Sequence, residues 1–417
     1  MDTIPPPANR PTAVTTLGRA LSLVHTGDAR QRAELTTLLG LTRTGTGTVL
    51  HQLQELRLTR SAAPPPAGRE GAPTGRPSHH VELHPESPAV VAAQLTVHSL
   101  RIAELRLGGV LGGIEECPLP EPASPDAVLT LAADRIASYV ATMNRCCLAV
   151  GLALPSAVGH DQTALAAFNL PWPAAVPVRV KLQAMLDDRA CPLDVHAGND
   201  ANLAALAEYR HGAGRQASDL LYLTTGRGVG GALVSHGQLF TGSAGYALEV
   251  GHLTVEPNGR RCFCGNRGCL GAESDAAALL LAAGRRPTRQ PDAAARKVIA
   301  SATGDPVARA AVDAVAVRLG IGLASLVNVL NPDRVVLGGV LADLYAAGER
   351  LVRKTLTQRS FLDQAAHVDV RAAALDEAIL IGAGELAFQP LLDDPRAVIA
   401  ALPTSESDDL AASLTER

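Results

Sequence analysis

The chain has 417 residues and a formal net charge of −4, with 47% hydrophobic but only 3% aromatic residues. That length exceeds one ordinary core and implies two or three domains, with interiors built from Ala, Leu and Val rather than from rings. No uninterrupted apolar run reaches the ~18 residues of a membrane span, and the N-terminus M-D-T-I-P-P-P has neither the charged nor the apolar region of a signal peptide, so membrane and secreted classes are not expected.

Charge is unevenly placed. Residues 1–80 hold nine arginines against five acids, a balance of +4 that leaves −8 for the rest. A basic head on an acidic body points to a nucleic-acid-binding module joined to something different. Residues 1–12 are proline-rich and read as a disordered leader. Val14, Leu17, Leu21 and Val24 recur at helical spacing, predicting a first helix that Gly27 and Asp28 end. A second helix is expected over 31–39, with Leu35, Leu38 and Leu39 inward and Gly40 closing it. Thr42 is the N-cap of a third, reaching Leu56, with the stripe Val49, Leu50, Leu53, Leu56. Two short helices joined by G-L-T read as a helix-turn-helix, the third helix being the one that reads DNA. Its candidate contacts are Arg43, Thr44, Thr46 and Thr48, since an arginine and small hydroxyls at a helix start reach base edges and phosphates. A small helical bundle with a polar face is the alternative. Gly45 and Gly47 each cost about 1 kcal/mol of helix propensity relative to alanine. Either this helix orders fully only on DNA, or its contact geometry differs. A Pro/Gly/Ala/Arg stretch follows over 59–77.

From Pro88 a second domain begins, with strands over 90–95 and 100–107 and a glycine-rich turn at 108–113. No aspartate occurs between Asp28 and Asp126. A helix over 126–142, a strand over 148–154, a loop-like segment over 157–172, a helix over 180–186 and a strand over 193–196 lead to H-A-G-N-D-A-N. Asn199 and Asp200 stand there where a strand meets a helix, the place where open α/β folds bind ligands. A plain N-cap is the alternative for Asp200. A strand over 220–224 runs into T-T-G-R-G-V-G-G, a glycine turn able to cradle phosphate through backbone N–H groups, and a strand over 234–240 returns. Helices dominate 276–330, a strand covers 335–337, and Gly338–Gly339 turns. The tail from Leu391 contains Pro403, acids and serines and reads as partly disordered.

The most specific stretch is E-V-G-H-L-T-V-E-P-N-G-R-R-C-F-C-G-N-R-G-C, residues 249–269. Cys262, Cys264 and Cys269 follow C-x-C-x4-C, and His252 precedes them. Three thiolates and one imidazole make a closed tetrahedral zinc site, structural rather than catalytic because no position stays open for water. Gly265 and Gly268 permit the tight turns. Three unrelated buried cysteines are the alternative. Seven cysteines, an odd number, fit a reducing cytoplasm, and the adjacent Cys146 and Cys147 read as inert core thiols.

This arrangement resembles the signature of the ROK family (repressors, open reading frames, kinases), sugar-sensing or sugar-phosphorylating proteins of the actin-like ATPase superfamily. The family pattern is E-x-G-H, a spacer, then C-x-C-G-x-x-G-C-x-E. Glu249, Gly251, His252, Cys262, Cys264, Gly265, Gly268 and Cys269 match. The last glutamate falls on Gly271, with Glu273 as candidate substitute. The resemblance implies an α/β chain: a winged helix-turn-helix over 13–85, then a two-lobed actin-like (ribonuclease H-like) domain with structural zinc. Its lobes would be 86–200 and 201–374, a closing helix over 375–388 would pack back on the first, and 391–417 would be a tail. G-R-P at 75–77 resembles the wing, making Arg76 a DNA contact; Arg69 is equally an incidental linker arginine.

The resemblance further makes Asn199, Asp200, Glu249 and His252 the sugar ligands, with His252 shared between sugar and zinc. In the family's kinases the aspartate matching Asp200 is the general base, and the first hairpin carries an aspartate-glycine loop for Mg²⁺ and phosphate. Here that loop reads Q-L-T-V-H-S-L, and Arg227 stands where a small hydroxyl residue is usual. ATP is therefore not expected as a cofactor, and no catalytic residue is assigned. The expectation is a cytoplasmic homo-oligomeric repressor, a dimer or dimer of dimers, that binds a DNA operator and a sugar or sugar derivative. The rival is a zinc-containing ATP-dependent hexose kinase using Asp200. A third reading is a sugar-binding module that docks another protein.

Overall fold

The computed structural model describes residues 14–62, 80–166, 170–172, 174–226 and 228–402. The head begins with α1 (Thr16–His25), α2 (Arg32–Leu39) and α3 (Arg43–Glu55). An antiparallel ribbon follows, β1 (Thr59–Ala62) against β2 (His80–Leu83), with Thr59 opposite Leu83. Local polar groups set each helix start. Thr15 Oγ1 accepts the Gly18 N–H, Glu34 Oε2 accepts the Gln31 N–H, and Thr42 Oγ1 accepts the Gly45 N–H. Gly40 ends α2 in the left-handed region at φ +65°.

Leu17, Leu21, Val24, Leu35, Leu39, Leu50 and Leu53 are buried, as the periodicity predicts. Leu38 is not: it is 50% exposed, because Leu35 and Leu39 already fill the i,i+4 face. Val14 lies ahead of α1 and is exposed. The third helix is continuous across both glycines. A Cβ on Gly47 would lie 2.6 Å from Arg32 Nη2, which donates to the Arg43 carbonyl at 2.7 Å. The glycine thus makes room for the arginine that ties α2 to the start of α3.

The two lobes repeat one sheet order. In the first, Ala89–Leu95 pairs antiparallel with Ser99–Arg106 and parallel with Cys147–Leu154, which is parallel to Asp194–Asn199. In the second, Asp219–Gly226 pairs antiparallel with Gly228–Ser235 and parallel with Arg334–Leu337, which is parallel to Asp369–Ala372. The return strand is therefore Gly228–Ser235 rather than 234–240. Gly226 pairs directly with Gly228, so the hairpin closes six residues earlier than expected. Arg227 lies outside the described residues.

The helix Asp200–His211 crosses the closing helix Ala378–Asp393 so closely that a Cβ on Gly382 would lie 1.9 Å from the Leu203 carbonyl oxygen. The closing helix extends to Asp393, and Pro395–Ala400, capped by Asp394, continues the fold. Helical structure thus occupies residues 391–400, where a tail was expected. The leader 1–12, Arg69, Arg76 and residues 403–417 lie outside the described residues.

One buried cluster runs from Leu21, Leu35 and Leu53 of the head through Leu105 and Leu203 to Phe388 and Leu391. A Cβ on Gly18 would lie 2.3 Å from the Leu392 carbonyl, so α1 touches the closing helix backbone to backbone. The boundary at 85/86 separates element types, but the core crosses it. The second lobe has its own cluster. The helix Pro306–Leu330 is long and apolar enough to cross a membrane by length and composition, and here its Leu319, Leu323 and Val327 are buried in that cluster.

Candidate sugar cleft and metal centre

The strand Asp194–Asn199 delivers its last residue to a cleft between the lobes. Asn199 Oδ1 accepts the Asn202 N–H at 3.0 Å and caps the helix Asp200–His211. Its Nδ2 donates to the Ser156 carbonyl at 3.1 Å and to Asp200 Oδ1 at 3.2 Å. Asp200 Oδ1 also accepts the Ala201 N–H at 2.8 Å. Backbone groups therefore hold this polar pair in place before any ligand arrives. Facing it from the second lobe is Glu249, at the start of the short turn Val250–His252. Gly251 lies so near the Val229 carbonyl that a Cβ would stand 2.0 Å from its oxygen.

The cleft is narrow, with about 30 Å3 of free volume, and is lined by Val158, Asn199 and Asn202 on one side and Gly230, Tyr246 and Glu249 on the other. Burial, with the neighbouring Glu249 charge, pushes the Asp200 carboxyl up to about 6. Burial also raises Glu249. Across the rim, His160 Nε2 hydrogen-bonds the Gly242 carbonyl at 3.0 Å, and the His160 N–H donates to the Ala244 carbonyl at 3.3 Å. Gly230 closes against the helix, where a Cβ would lie 2.9 Å from Ala201 Cβ. At Gly230, at least, the glycine hairpin serves close packing of the lobes. Sequence reasoning missed Asn202 and Tyr246. N-D-A-N carried the signal for Asn202, three residues after Asn199 in the first helical turn.

His252, Cys262, Cys264 and Cys269 converge, their ligand atoms all lying within 4.8 Å of one another. An ion held at ~2.3 Å from sulfur and ~2.0 Å from nitrogen in a tetrahedron needs edges of about 3.8 Å between sulfurs and about 3.5 Å from sulfur to nitrogen. Cys264 Sγ lies 3.8 Å from Cys269 Sγ, and Cys262 Sγ lies 3.6 Å from His252 Nδ1. The donor set therefore fits a four-coordinate metal. Gly265 (φ +94°) and Gly268 (φ +66°) turn the loop, and a Cβ on Gly268 would fall 1.5 Å from the Glu256 carbonyl. Burial pushes the Cys269 thiol up to about 12, a cost that a bound cation reverses.

Glu273 does not replace the glutamate missing at 271. It is buried, its Oε1 accepts the Arg260 N–H at 2.6 Å, and its Oε2 lies 3.2 Å from Arg260 Nη2 and 3.1 Å from Arg318 Nε. Those partners hold it away from the glycine turn at 271. At Gly271 a Cβ would lie 3.0 Å from the Val229 N and 3.3 Å from the Gly251 carbonyl, so a side chain there requires the hairpin to shift.

In the head, Arg43, Thr44 and Thr48 are exposed at the start of α3. Thr46 is 0% exposed, accepts from the Thr36 hydroxyl at 3.0 Å and donates to the Thr42 carbonyl at 3.1 Å. It lies one turn before Leu50 on the inner stripe and leaves the set of candidate contacts.

Residues 114–389 match the ROK family. Over 262 residues the chain is 31% identical to the xylose repressor of Caldicellulosiruptor bescii, an alignment covering 60% of this chain and 64% of the relative, so the chain spans just under two thirds of that protein. The ROK hexokinase from Thermus thermophilus is 30% identical, with a TM-score of 0.60 over 73% of this chain and 100% of its own. A ROK family transcriptional regulator homologous to the E. coli MLC protein shares the fold at 20% identity, with a TM-score of 0.75 over 92% of this chain and 98% of its own.

Proposed function

The chain belongs to the ROK family, and from that premise we propose that it is a sugar-responsive, DNA-binding transcriptional regulator acting as a repressor. The head carries the reading. The whole hexokinase accounts for 73% of this chain, whereas the regulator's fold extends over 92%. The head is three helices and a ribbon that share one core with the body. On this reading it is a winged helix-turn-helix, α3 enters the major groove, and Arg43, Thr44 and Thr48 reach the DNA. One reading helix covers only a few base pairs, so a homodimer on a palindromic operator supplies useful affinity.

The effector is a sugar or sugar derivative held by Asn199, Asp200, Glu249 and His252, whose acceptors and donors alternate as a polyol requires. The metal is one structural zinc on His252, Cys262, Cys264 and Cys269, and it holds the loop in shape. With Nδ1 turned to the thiols, His252 keeps its other ring nitrogen for a sugar hydroxyl, which couples metal and ligand.

Hexose phosphorylation is the second reading, favoured by the hexokinase likeness and by an Asp200 carboxyl poised near neutrality. The first hairpin opposes it. Thr96 Oγ1 accepts the His98 and Ser99 N–H groups, and the turn's own sequence holds no carboxylate to place Mg²⁺; the neighbouring Glu116 accepts the Ser99 hydroxyl at 2.6 Å. The test uses the full-length protein. Sequences it retains are selected from a random duplex pool, and their affinity is followed against salt by fluorescence anisotropy. Thermal shift against a monosaccharide and sugar-phosphate library finds the effector. A recovered palindrome with steep salt dependence supports the regulator. No selected sequence, together with sugar-dependent ADP release at about 1 s⁻¹ or faster, establishes the kinase.

A further inference from the structure

A buried polar cluster lies where the head meets the body, away from both the cleft and the thiol site. His25 is the last residue of α1, and its Nε2 stands 3.0 Å from each carboxylate oxygen of Glu385 in the closing helix. Both side chains have no exposed surface. Arg210 Nη1 donates to Glu385 Oε2 at 2.7 Å, and His211 Nε2 lies 2.9 Å from Oε1. The Gly108 N–H donates to His25 Nδ1 at 3.0 Å. That bond assigns the tautomer: Nδ1 accepts, so Nε2 carries the proton and gives it to Glu385.

His25, His211 and Glu385 are near enough to hold a metal. The backbone donor on Nδ1 and the guanidinium on Oε2 already occupy their lone pairs, so the cluster is complete as a hydrogen-bonded node. Burial lowers the His25 pKa and keeps the ring neutral. Burial alone would raise the Glu385 carboxyl, yet its partners hold it well below the usual range. The carboxylate is paired with the guanidinium, and the two rings hold the geometry.

Arg210 and His211 are the last two residues of the helix Asp200–His211, which starts at Asp200 and is capped by Asn199. This helix has 12 residues and at 1.5 Å per residue is roughly 18 Å long. The polar pair of the cleft sits at one end and the node at the other. The helix is gripped on the way: Leu203 presses on Gly382, one turn before Glu385, and Ala201 presses on Gly230. It is positioned to move as one piece with the closing helix. Two further ties hold the head on that same frame, the Thr15 N–H to the Asp393 carbonyl at 3.0 Å and Arg215 to Asp28 at 2.9 Å.

We propose that Glu385 is the relay through which occupancy of the Asn199–Asp200 end of this helix is passed to α1 and so to the setting of α3. The proposal rests on the reading of the cleft as a sugar site and of the head as a DNA reader. A hydroxyl engaging Asp200 draws on the first turn, the rigid helix carries the shift to Arg210 and His211, and His25 follows through the shared carboxylate. The coupling is reciprocal, so an operator held by the head alters the Asp200 end by the same factor.

His211→Leu removes one arm of the node and leaves the cleft, the thiols and the exposed face of α3 intact. His211→Gln restores a donor at similar reach. Operator affinity of the full-length protein is measured by anisotropy with and without saturating D-xylose or D-glucose, and sugar affinity by calorimetry. The wild type should show a sugar-induced change of about fivefold or more, within the ordinary range of allosteric coupling. H211L should fall below about twofold with its separate sugar and DNA affinities retained, and H211Q should recover most of the response. A response of wild-type size in H211L overturns the relay. His25→Leu cuts the same node from the head side and carries the test if H211L does not fold. Hydrogen exchange supplies an arm that needs no sugar: operator alone should change protection of residues 200–211 in the wild type and not in H211L. Unchanged protection in the wild type also overturns the relay. Failure of the underlying reading looks different, since the wild type then selects no DNA sequence or binds neither sugar, and the relay falls with it.

Discussion

Replacing Cys269 with serine should remove the metal and loosen the second lobe. Cys269 is fully buried and is followed by Leu270, also fully buried, which presses on the helix Pro306–Leu330 where a Cβ on Gly322 would come within 2.6 Å of it. On the proposed reading, a zinc ion shared by His252 and Cys269 would tie the two ends of the intervening loop. Treated as a cross-link closing a loop of about 15 residues, it withdraws about 3 kcal/mol of chain freedom from the unfolded state. Partial release of Leu270 adds about 1–3 kcal/mol, the value of a buried leucine side chain. The sum of roughly 4–6 kcal/mol is a large share of the stability of an ordinary domain. The helices of the second lobe rest on a cluster of their own, while the other face of its sheet (Leu220, Tyr222, Val234, Val336) belongs to the cluster that joins head and first lobe. Calorimetry of C269S should therefore show an earlier transition for the helical layer of the second lobe while the remainder melts near its wild-type temperature. Zinc measured by elemental analysis should drop from one equivalent per chain to near none, and chelated wild type should follow the variant. A wild type without zinc near one equivalent, or a C269S melting profile like that of the wild type, refutes the reasoning.

Arg43→Ala should weaken operator binding by about 1–3 kcal/mol if the guanidinium reads a guanine edge, or reduce the salt slope by about one if it binds phosphate. Thr46→Ala, by contrast, should cost about 1 kcal/mol of stability through the lost Thr36 contact and leave the selected sequence unchanged. Sugar affinity that depends on ionised Asp200 should fall as pH drops below about 6. The folding effect has the opposite sign: with its folded-state value raised above the unfolded one, this group favours folding in its neutral form, and that contribution is lost as pH rises towards about 6. Titration calorimetry and melts at several pH values should show both trends, flattened in Asp200→Asn. A coupled assay with ATP and a hexose panel should show turnover well below about 1 s⁻¹, the lower end of ordinary kinases; faster sugar-dependent ADP release contradicts the reasoning from the turn 94–100, whose own sequence holds no carboxylate.

Short-range chemistry was legible in the sequence. The metal ligands fall within one stretch, and the glycines between the thiols had to adopt left-handed turns wherever the loop lay. Thr42, Gly40 and the leucine stripes of the head announced its helices, because caps and i,i+4 faces depend only on neighbours a turn away. Asn199 and Asp200 were readable as a strand-to-helix junction for the same reason. What depended on the chain returning to itself was not readable. Thr46 looked like its exposed neighbours until α2 packed over it. Glu273 looked like a substitute for the glutamate missing at 271 until Arg260 and Arg318 closed on it. Gly47 read as a weak point, and only the approach of Arg32 explains it. His25 and Glu385 are 360 positions apart, and no local pattern pairs them. Their contact exists because the closing helix comes back across the first lobe with Gly382 flat against Leu203, which carries a carboxylate into the base of the head. Residue type and spacing determined which groups can hold a metal and which segments are helical; the crossing of distant backbones decided which polar groups face solvent, which face the cleft, and which join the head to the body.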